Sequence, residues 1–167
     1  RELRMETLFS GSTGPNVKLV QSLLNRISYN AGAVDGIYGP QTVRAVTAFQ
    51  RDNGLAADGI VGPATWTVFG RLLRGYDIYT IRTGDTLYNI ARRYYTSVNA
   101  ILTANPGINP LTLPVGLRIT VPFGIDIVFT DIDYTHEILE RQVQGLKARY
   151  PFLETGTIGR SVLGNNL

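Results

Sequence analysis

An internal repeat constrains the fold of this chain more than any other feature of its sequence. The segment 35–42, DGIYGPQT, recurs at 58–65 as DGIVGPAT, and the two copies differ only at their fourth and seventh positions. In each copy Asp-Gly favours a tight turn, the second glycine lets the chain reverse, and the proline suits a first helical turn. The sequence therefore predicts two turns, each followed by a short helix.

Apolar residues at helical spacing support these two helices and predict a third one before them. The predicted core positions are, in chain order, Val17, Val20, Leu23, Leu24 and Ile27; then Val43, Val46 and Phe49; then Trp66, Phe69, Leu72 and Leu73. We expect three short helices that share one core over residues 5–74.

The pattern over residues 5–74 resembles the peptidoglycan-binding type 1 domain, a three-helix module found at the ends of wall hydrolases. The resemblance is carried by Gly11, Ser12, Gly14, Pro15, Val17, Val20, Gln21, Leu24, the two repeated turns, Val46, Phe49, Gln50, Asn53, Gly54, Leu55, Thr65 and Trp66. It implies cell-wall binding without identifying the residues that contact the ligand. Asp35 and Asp58 are predicted to hold turns, and Trp66 to fill the core. Tyr38 stands where the other copy has Val61, so an exposed contact to a ligand stays open there.

Residues 75–123 predict the order strand, helix, helix, strand. The expected elements are a short link at 75–78, a strand at 79–81, a helix capped by Asp85 or Thr86, a second helix capped by Ser97 and ended by Asn105-Pro106, and a strand at 117–121. This order and these residues resemble the LysM module, a small domain that binds N-acetylated glycans. The resemblance is carried by Tyr79, Ile81, Gly84, Asp85, Thr86, Leu87, Ile90, Ala91, Asn105, Pro106, Ile108, Leu113, Gly116, Ile119, Val121 and Pro122.

The LysM resemblance places a glycan-binding groove between two loops. These loops are Gly84-Asp85-Thr86-Leu87 and Asn105-Pro106-Gly107-Ile108-Asn109. The implied ligand is a glycan of peptidoglycan that contains N-acetylglucosamine. Backbone groups can bind its acetamido amide, apolar contact can hold the methyl group, and glycine allows close approach. A purely structural interpretation of the side chains stays open, since Asp85 and Thr86 would also cap a helix and Asn105 and Pro106 would also end one.

Residues 124–167 differ from both modules. A helix is expected from Tyr134 to Arg149, with Ile138, Val143 and Leu146 on its buried side. Together with the segment 157–164, TIGRSVLG, it resembles the start of the zinc carboxypeptidase catalytic domain, which implies a partial α/β segment. A stub of this kind exposes its apolar face, so we expect disorder, docking on a neighbour or self-association.

Zinc is implied for the full-length parent of such a domain, but for no site in this chain. The zinc site of the family consists of two histidines and a glutamate, with a further glutamate as general base. This chain has one histidine, His136, and no cysteine. We therefore expect no catalytic residue, metal site or cofactor in it, and no activity of the chain alone. His136 is predicted to be a surface residue, and the zinc ligands are expected to lie beyond Leu167.

The three segments together resemble the N-terminal part of bacterial gamma-D-glutamyl-diaminopimelate endopeptidases, zinc metallopeptidases that cut the peptidoglycan stem peptide and are associated with sporulation. The predicted fold class is α+β with several modules: a three-helix domain (5–74), a βααβ domain (75–123) and a partial α/β peptidase segment (124–167). Two hypotheses stay open, a peptidoglycan-binding protein without chemistry and the binding part of a zinc peptidase. A third and weaker one is a nucleic-acid or protein adaptor.

Charge and hydropathy limit the expected partners. The net charge of +3 comes from scattered bases, and this pattern favours an ordinary solvated surface over a nucleic-acid patch. No segment has the length and apolarity of a membrane-spanning helix. We expect no nucleic-acid or membrane partner, and the sequence leaves the oligomeric state open. The N-terminus lacks an apolar run of signal-peptide length, so the expectation is a wall-binding protein that acts from the cytoplasm of a sporulating cell.

Overall fold

The computed structural model describes residues 5–156, which divide into two compact units. Residues 5–73 and 125–135 form the first unit, and residues 74–124 and 136–156 form the second. The elements are α1 (Pro15–Arg26), α2 (Pro40–Asp52), α3 (Pro63–Arg74), β1 (Tyr76–Thr80), α4 (Leu87–Arg93), α5 (Val98–Ala104), β2 (Arg118–Pro122) and α6 (His136–Arg149). No helix among these described residues is long and apolar enough to cross a membrane.

The first unit is built on α1, α2 and α3, as the apolar spacing predicts. Each helix begins at a proline, whose fixed φ and missing N–H suit the first helical position. In the core, Phe49 stacks on Phe69 with 4.6 Å between the ring centroids, and Trp66 packs edge-on against Phe69 at 5.9 Å. Trp66 is buried as predicted, and its indole N–H donates to the carbonyl oxygen of Glu6 at 2.9 Å.

A buried glutamine closes each turn of the repeat. The Nε2 of Gln21 lies 3.0 Å from Asp35 Oδ1, 3.0 Å from the carbonyl oxygen of Ile37 and 3.1 Å from Thr42 Oγ1, while its Oε1 accepts the Gly36 N–H at 2.9 Å. Gln50 repeats these contacts with Asp58 Oδ1 (3.0 Å), the carbonyl oxygen of Ile60 (2.8 Å), Thr65 Oγ1 (3.1 Å) and the Gly59 N–H (2.8 Å). Each copy of the repeat thus contains the same set of hydrogen bonds around a buried glutamine, which we call the clasp.

Asp35 and Asp58 hold their turns, which confirms that prediction. Each carboxylate accepts the backbone N–H two residues further on, from Ile37 and Ile60 respectively, at 2.9 Å. These backbone hydrogen bonds, followed by those from the glutamine amides, hold the pKa of both carboxyls below the usual range.

Tyr38 is not the exposed contact that the sequence left open. Its side chain is 1% exposed, and its hydroxyl donates to the carbonyl oxygen of Gly59 at 2.8 Å. Burial raises the pKa of this phenol well above its usual value. The first copy of the repeat therefore uses Tyr38 to contact the turn of the second copy.

Residues 125–135 cover one face of α1 within the first unit. The polar contacts of this segment are Lys18 Nζ to Asp133 Oδ2 (2.9 Å), Ser22 Oγ to Asp131 Oδ1 (2.7 Å) and Arg26 Nη1 to the carbonyl oxygen of Asp126 (3.2 Å). The guanidinium of Arg26 also lies 4.4 Å from the ring centroid of Phe129, and Phe129 and Ile127 are buried. Disorder, docking and self-association are the three expectations for residues 124–167, and docking is the one that the structure shows for residues 125–135.

The second unit is organised by two antiparallel strands, in which Tyr76 pairs with Pro122 and Thr80 with Arg118. The prediction of a link at 75–78 is wrong, because Asp77 and Ile78 belong to the same ladder and extend β1 toward the N-terminus. Helices α4 and α5 follow β1 and precede β2, which gives the predicted order strand, helix, helix, strand. The core consists of Tyr79, Ile81, Leu87, Ile90, Ala91, Ile101, Ile119 and Val121.

Helix α6 packs against β1, β2 and α5. It begins at His136 and not at the predicted Tyr134, because the Tyr134 hydroxyl bonds to the N–H and carbonyl oxygen of Phe129, at 3.1 and 2.7 Å, and holds Tyr134 in the preceding loop. At the other end of α6, Arg149 donates to the carbonyl oxygens of Gly75 and Phe123, both at 2.9 Å.

The buried residues of α6 differ from those that its periodicity predicts. Ile138 is buried, but Val143 and Leu146 are only half-buried, and Gln142 is buried in addition. The segment 157–164, which also carried the peptidase resemblance, lies outside the described residues. A separate peptidase stub over 124–167 stays a prediction.

Candidate functional site

The first predicted loop, residues 84–87, follows β1 and leads into α4. Asp85 Oδ2 accepts the backbone N–H of Arg82 at 2.7 Å and the hydroxyl of Tyr79 at 2.8 Å. Both hydrogen bonds lower the pKa of the Asp85 carboxyl, and the one from Arg82 has the larger effect. The carboxyl is therefore ionised at neutral pH. Thr86 is the N-cap, because its Oγ1 accepts the Asn89 N–H at 3.1 Å. Both polar side chains therefore shape the loop.

The second predicted loop, residues 105–109, joins α5 to the segment before β2. Asn105 anchors it: its Nδ2 donates to the carbonyl oxygens of Ile101 and Thr120, both at 2.7 Å, and its Oδ1 accepts the Thr120 N–H at 2.8 Å. Asn109 Oδ1 accepts the Leu111 N–H at 2.9 Å and turns the chain onward. The amide of Asn105 thus fixes the end of α5 to β2, in addition to ending the helix.

One apolar core supports both loops. Leu87, at the end of the first loop, is a member of this core at 3% exposure, and Ile108, in the middle of the second loop, packs against the same core while half-exposed. The structure therefore brings the two loops to a common core, with an apolar side chain from each.

Exposed backbone remains at the apex of each loop. Gly84 and Gly107 are exposed and take positive φ values of 84° and 85°, a region that favours glycine. Within residues 5–156, the backbone of neither glycine makes a hydrogen bond. Pro106 is exposed beside Gly107. The loops thus present unshielded N–H and carbonyl groups next to apolar surface, which is what an acetamido group requires.

Two groups that organise this site are not marked as such by the sequence pattern. The sequence predicts Tyr79 as a strand residue and as part of the LysM pattern, but it does not predict that the Tyr79 hydroxyl joins Asp85 to Arg93, whose Nη1 donates to it at 2.9 Å. Arg93 also helps to line a shallow surface depression, together with Asn89, Arg92 and Tyr95. Two consecutive arginines followed by two tyrosines, at 92–95, are the sequence signal that marks this surface.

His136 lies at the N-terminus of α6, partly exposed, with Nε2 at 3.2 Å from Glu140 Oε1. Across residues 5–156, no group of three His, Asp or Glu side chains is arranged to hold a metal ion. The residues of the described part therefore do not fit the zinc ion that the peptidase resemblance implies for the parent.

Both units match known domain families. Residues 13–69, in the first unit, match the family model of a putative peptidoglycan binding domain, and residues 79–122, in the second, match that of the LysM domain. The chain is 46% identical over 52 residues to the N-acetylmuramoyl-L-alanine amidase CwlM of Mycobacterium tuberculosis, a match that covers 31% of this chain and 13% of that protein. It is also 46% identical over 65 residues to the zinc D-Ala-D-Ala carboxypeptidase of Streptomyces albus G, covering 36% and 24% respectively.

A solved structure is similar in sequence as well. It is a peptidoglycan-binding protein from Clostridioides difficile in complex with glutamine hydroxamate, 45% identical, with 40% of this chain and 42% of that chain covered at a TM-score of 0.39. The chain thus spans less than half the length of each of these three proteins.

Proposed function

We propose that a chain which combines a putative peptidoglycan binding domain with a LysM domain binds bacterial peptidoglycan and directs a cell-wall hydrolase to it. The observation that carries this proposal is that each of the two compact units contains one of the two domain matches. Two weak sites on one chain reinforce each other, because binding at the first raises the effective concentration of the polymer at the second.

Within the second unit, we assign glycan binding to the loops 84–87 and 105–109. The exposed backbone of Gly84 and Gly107 supports this assignment, since it can exchange hydrogen bonds with an acetamido group at close range. The half-exposed side chain of Ile108 offers an apolar contact for the acetamido methyl group. Asp85, Thr86 and Asn105 act as positioning residues that hold the loops through the contacts described above.

A pull-down on chitin, an insoluble polymer of N-acetylglucosamine, tests the groove. Ile108→Asp places a charge on its apolar wall and should abolish retention of the chain. Leu139→Asp is the matched control, because Leu139 is 50% exposed on α6 of the same unit and lies outside both loops. Undiminished retention of Ile108→Asp would exclude the groove.

Ile108 packs partly against the core, so a second measurement separates binding from folding. In the unmodified chain, a soluble N-acetylglucosamine oligomer should shift the amide resonances of Gly84 and Gly107 more than those of α6. Shifts confined to other parts of the second unit would contradict the assignment, whatever the behaviour of Ile108→Asp.

A second and more specific proposal concerns the hydrolase itself. Two relatives are named as an amidase and a zinc carboxypeptidase, which supports a wall hydrolase as the parent. We propose a zinc-dependent gamma-D-glutamyl-diaminopimelate endopeptidase of a sporulating bacterium, a choice that rests on the resemblance of residues 124–167. The full-length gene product should cleave muropeptides in a chelator-sensitive manner, while the 167-residue chain should not. Cleavage by this chain alone would contradict the proposal.

A further inference from the structure

A shallow depression on the second unit lies outside the two glycan loops. Its walls are formed by Asn89, Arg92, Arg93 and Tyr95, which belong to α4 and the turn that ends it. Tyr88, on the preceding turn of α4, is 62% exposed. We call these five residues the α4 patch.

Tyr95 occupies a backbone conformation that costs stability. Its φ is 53°, in the left-handed region, where the chain leaves α4 in a Schellman turn closed by hydrogen bonds from the N–H of Tyr95 to Arg92 (3.3 Å) and from that of Thr96 to Ala91 (2.9 Å). Glycine is the usual residue at this position, because a side chain is strained there. The ring of Tyr95 recovers nothing by packing, since the residue is 90% exposed. The exposed ring of Tyr95 is therefore available for a contact outside the fold.

Each of the two arginines of the α4 patch lies near an aromatic ring. Arg93 donates to the hydroxyl of Tyr79 at 2.9 Å, and its guanidinium lies 5.5 Å from the centroid of that ring. The guanidinium of Arg92 lies 6.0 Å from the ring centroid of Tyr88. The depression is therefore lined by two guanidinium groups that lie near aromatic rings, by the amide of Asn89 and by the exposed ring of Tyr95.

We propose that the α4 patch binds a carboxylate of the peptidoglycan stem peptide. This inference rests on the proposed function and extends it from the glycan to the peptide. An uncharged glycan offers no anionic partner to two adjacent guanidinium groups, whereas the planar fork of arginine matches a carboxylate. The tyrosine ring is a platform on which the peptide backbone can lie.

The position of the α4 patch allows one ligand to reach both sites. Arg93 bonds to Tyr79, and Tyr79 bonds in turn to Asp85 of the first glycan loop at 2.8 Å. Two hydrogen bonds thus separate the patch from the loop. The proposal therefore places a stem peptide of a bound glycan strand alongside α4.

The experiment measures the affinity of the full 167-residue chain for two soluble ligands by calorimetry. One is an N-acetylglucosamine oligomer, and the other is a muropeptide with free stem-peptide carboxylates. Arg92→Gln should weaken muropeptide binding about threefold to tenfold, as expected for an exposed charge-assisted contact. Tyr95→Gly should weaken it by a similar factor, because the aromatic contact to the peptide is lost. Both variants should leave oligomer binding within about twofold of the original chain. Arg118→Gln, which removes the same charge from an exposed position on β2, is the matched control and should change neither affinity.

Tyr95→Gly also separates binding from structure. Because glycine relieves the left-handed strain, the variant should melt at the same temperature as the original chain or higher while it binds the muropeptide less tightly. A lower melting temperature would show that Tyr95 is structural and would overturn its role here. Amidation of the stem-peptide carboxylates should reproduce the effect of Arg92→Gln, and added salt should reduce the preference for the muropeptide.

Several results would overturn the inference. These are equal muropeptide affinity in all variants, or equal losses with free and amidated peptides. Poly(glycerol phosphate) serves as a third ligand, and losses in Arg92→Gln that appear only with this polymer would assign the patch to phosphate. If the original chain bound neither soluble ligand, the proposed function would fail and this inference with it. Oligomer binding without any sensitivity at the α4 patch would remove the inference alone.

Discussion

Replacement of Gln50 by leucine should destabilise the first unit severely, although the two side chains have similar volumes. The amide of Gln50 reaches four partners at 2.8–3.1 Å, and the Gly59 N–H, one of them, is buried. The two N–H groups of the amide are shared among three acceptors, so the clasp is worth about three hydrogen bonds at roughly 1 kcal/mol each. Loss of a partner for a buried N–H adds to this cost. We expect a loss of at least about 3 kcal/mol, a large share of the roughly 5–15 kcal/mol that stabilises a typical domain.

Guanidinium denaturation followed by the fluorescence of Trp66 measures this loss directly. Trp66 is the one tryptophan of the chain and is buried in the first unit, so its signal reports the unfolding of that unit. Gln21→Leu should cost a similar amount, because Gln21 makes the same contacts in the other copy of the repeat. Gln41→Ala is the control, since Gln41 is exposed and donates one exposed hydrogen bond, to Asn30. A loss below about 1 kcal/mol in both clasp variants, or one equal to that of Gln41→Ala, would refute the reasoning.

Three further predictions test other contacts. The pKa of Asp58 is depressed by folding, so its contribution to stability is complete above its ordinary value of 3.8 and disappears as the pH falls toward the lower folded value; Asp58→Asn should make the Trp66 unfolding midpoint less dependent on pH between about 2 and 5. Gly124→Ala should cost the second unit about 2 kcal/mol or more, because a Cβ there would collide with the carbonyl oxygen of Tyr95, while Gly156→Ala, with open space around it, should cost almost nothing; melting followed by tyrosine ellipticity compares the two. Asn105→Ala should lower the same melting temperature and weaken chitin retention together, since its amide fixes the second loop to β2, and retention at full strength in a destabilised variant would separate that loop from binding.

The two loops of the candidate site could be predicted from the sequence, but the side-chain hydrogen bonds that connect the first loop to β1 and α4 could not. The glycines at 84 and 107 mark turns because their backbone requirement is local, and Thr86 and Ser97 are confirmed as caps because a cap contacts only the next helical turn. The chain of contacts from Arg93 through Tyr79 to Asp85 is different in kind. It joins a helix, a strand and a loop, and no spacing in the sequence specifies such an approach.

The sequence by itself determined the helices, the two repeated turns and the strand–helix–helix–strand order, because helical spacing, strand alternation and Asp-Gly turns act over a few neighbouring residues. Tertiary structure alone decided that Tyr38 is buried, that Gln21 reaches Asp35 across 14 positions, and that residues 125–135 cover α1. These contacts depend on which surfaces meet after the elements have formed. A buried polar group must then find its hydrogen-bond partner wherever packing has brought one, however distant that partner is in the chain.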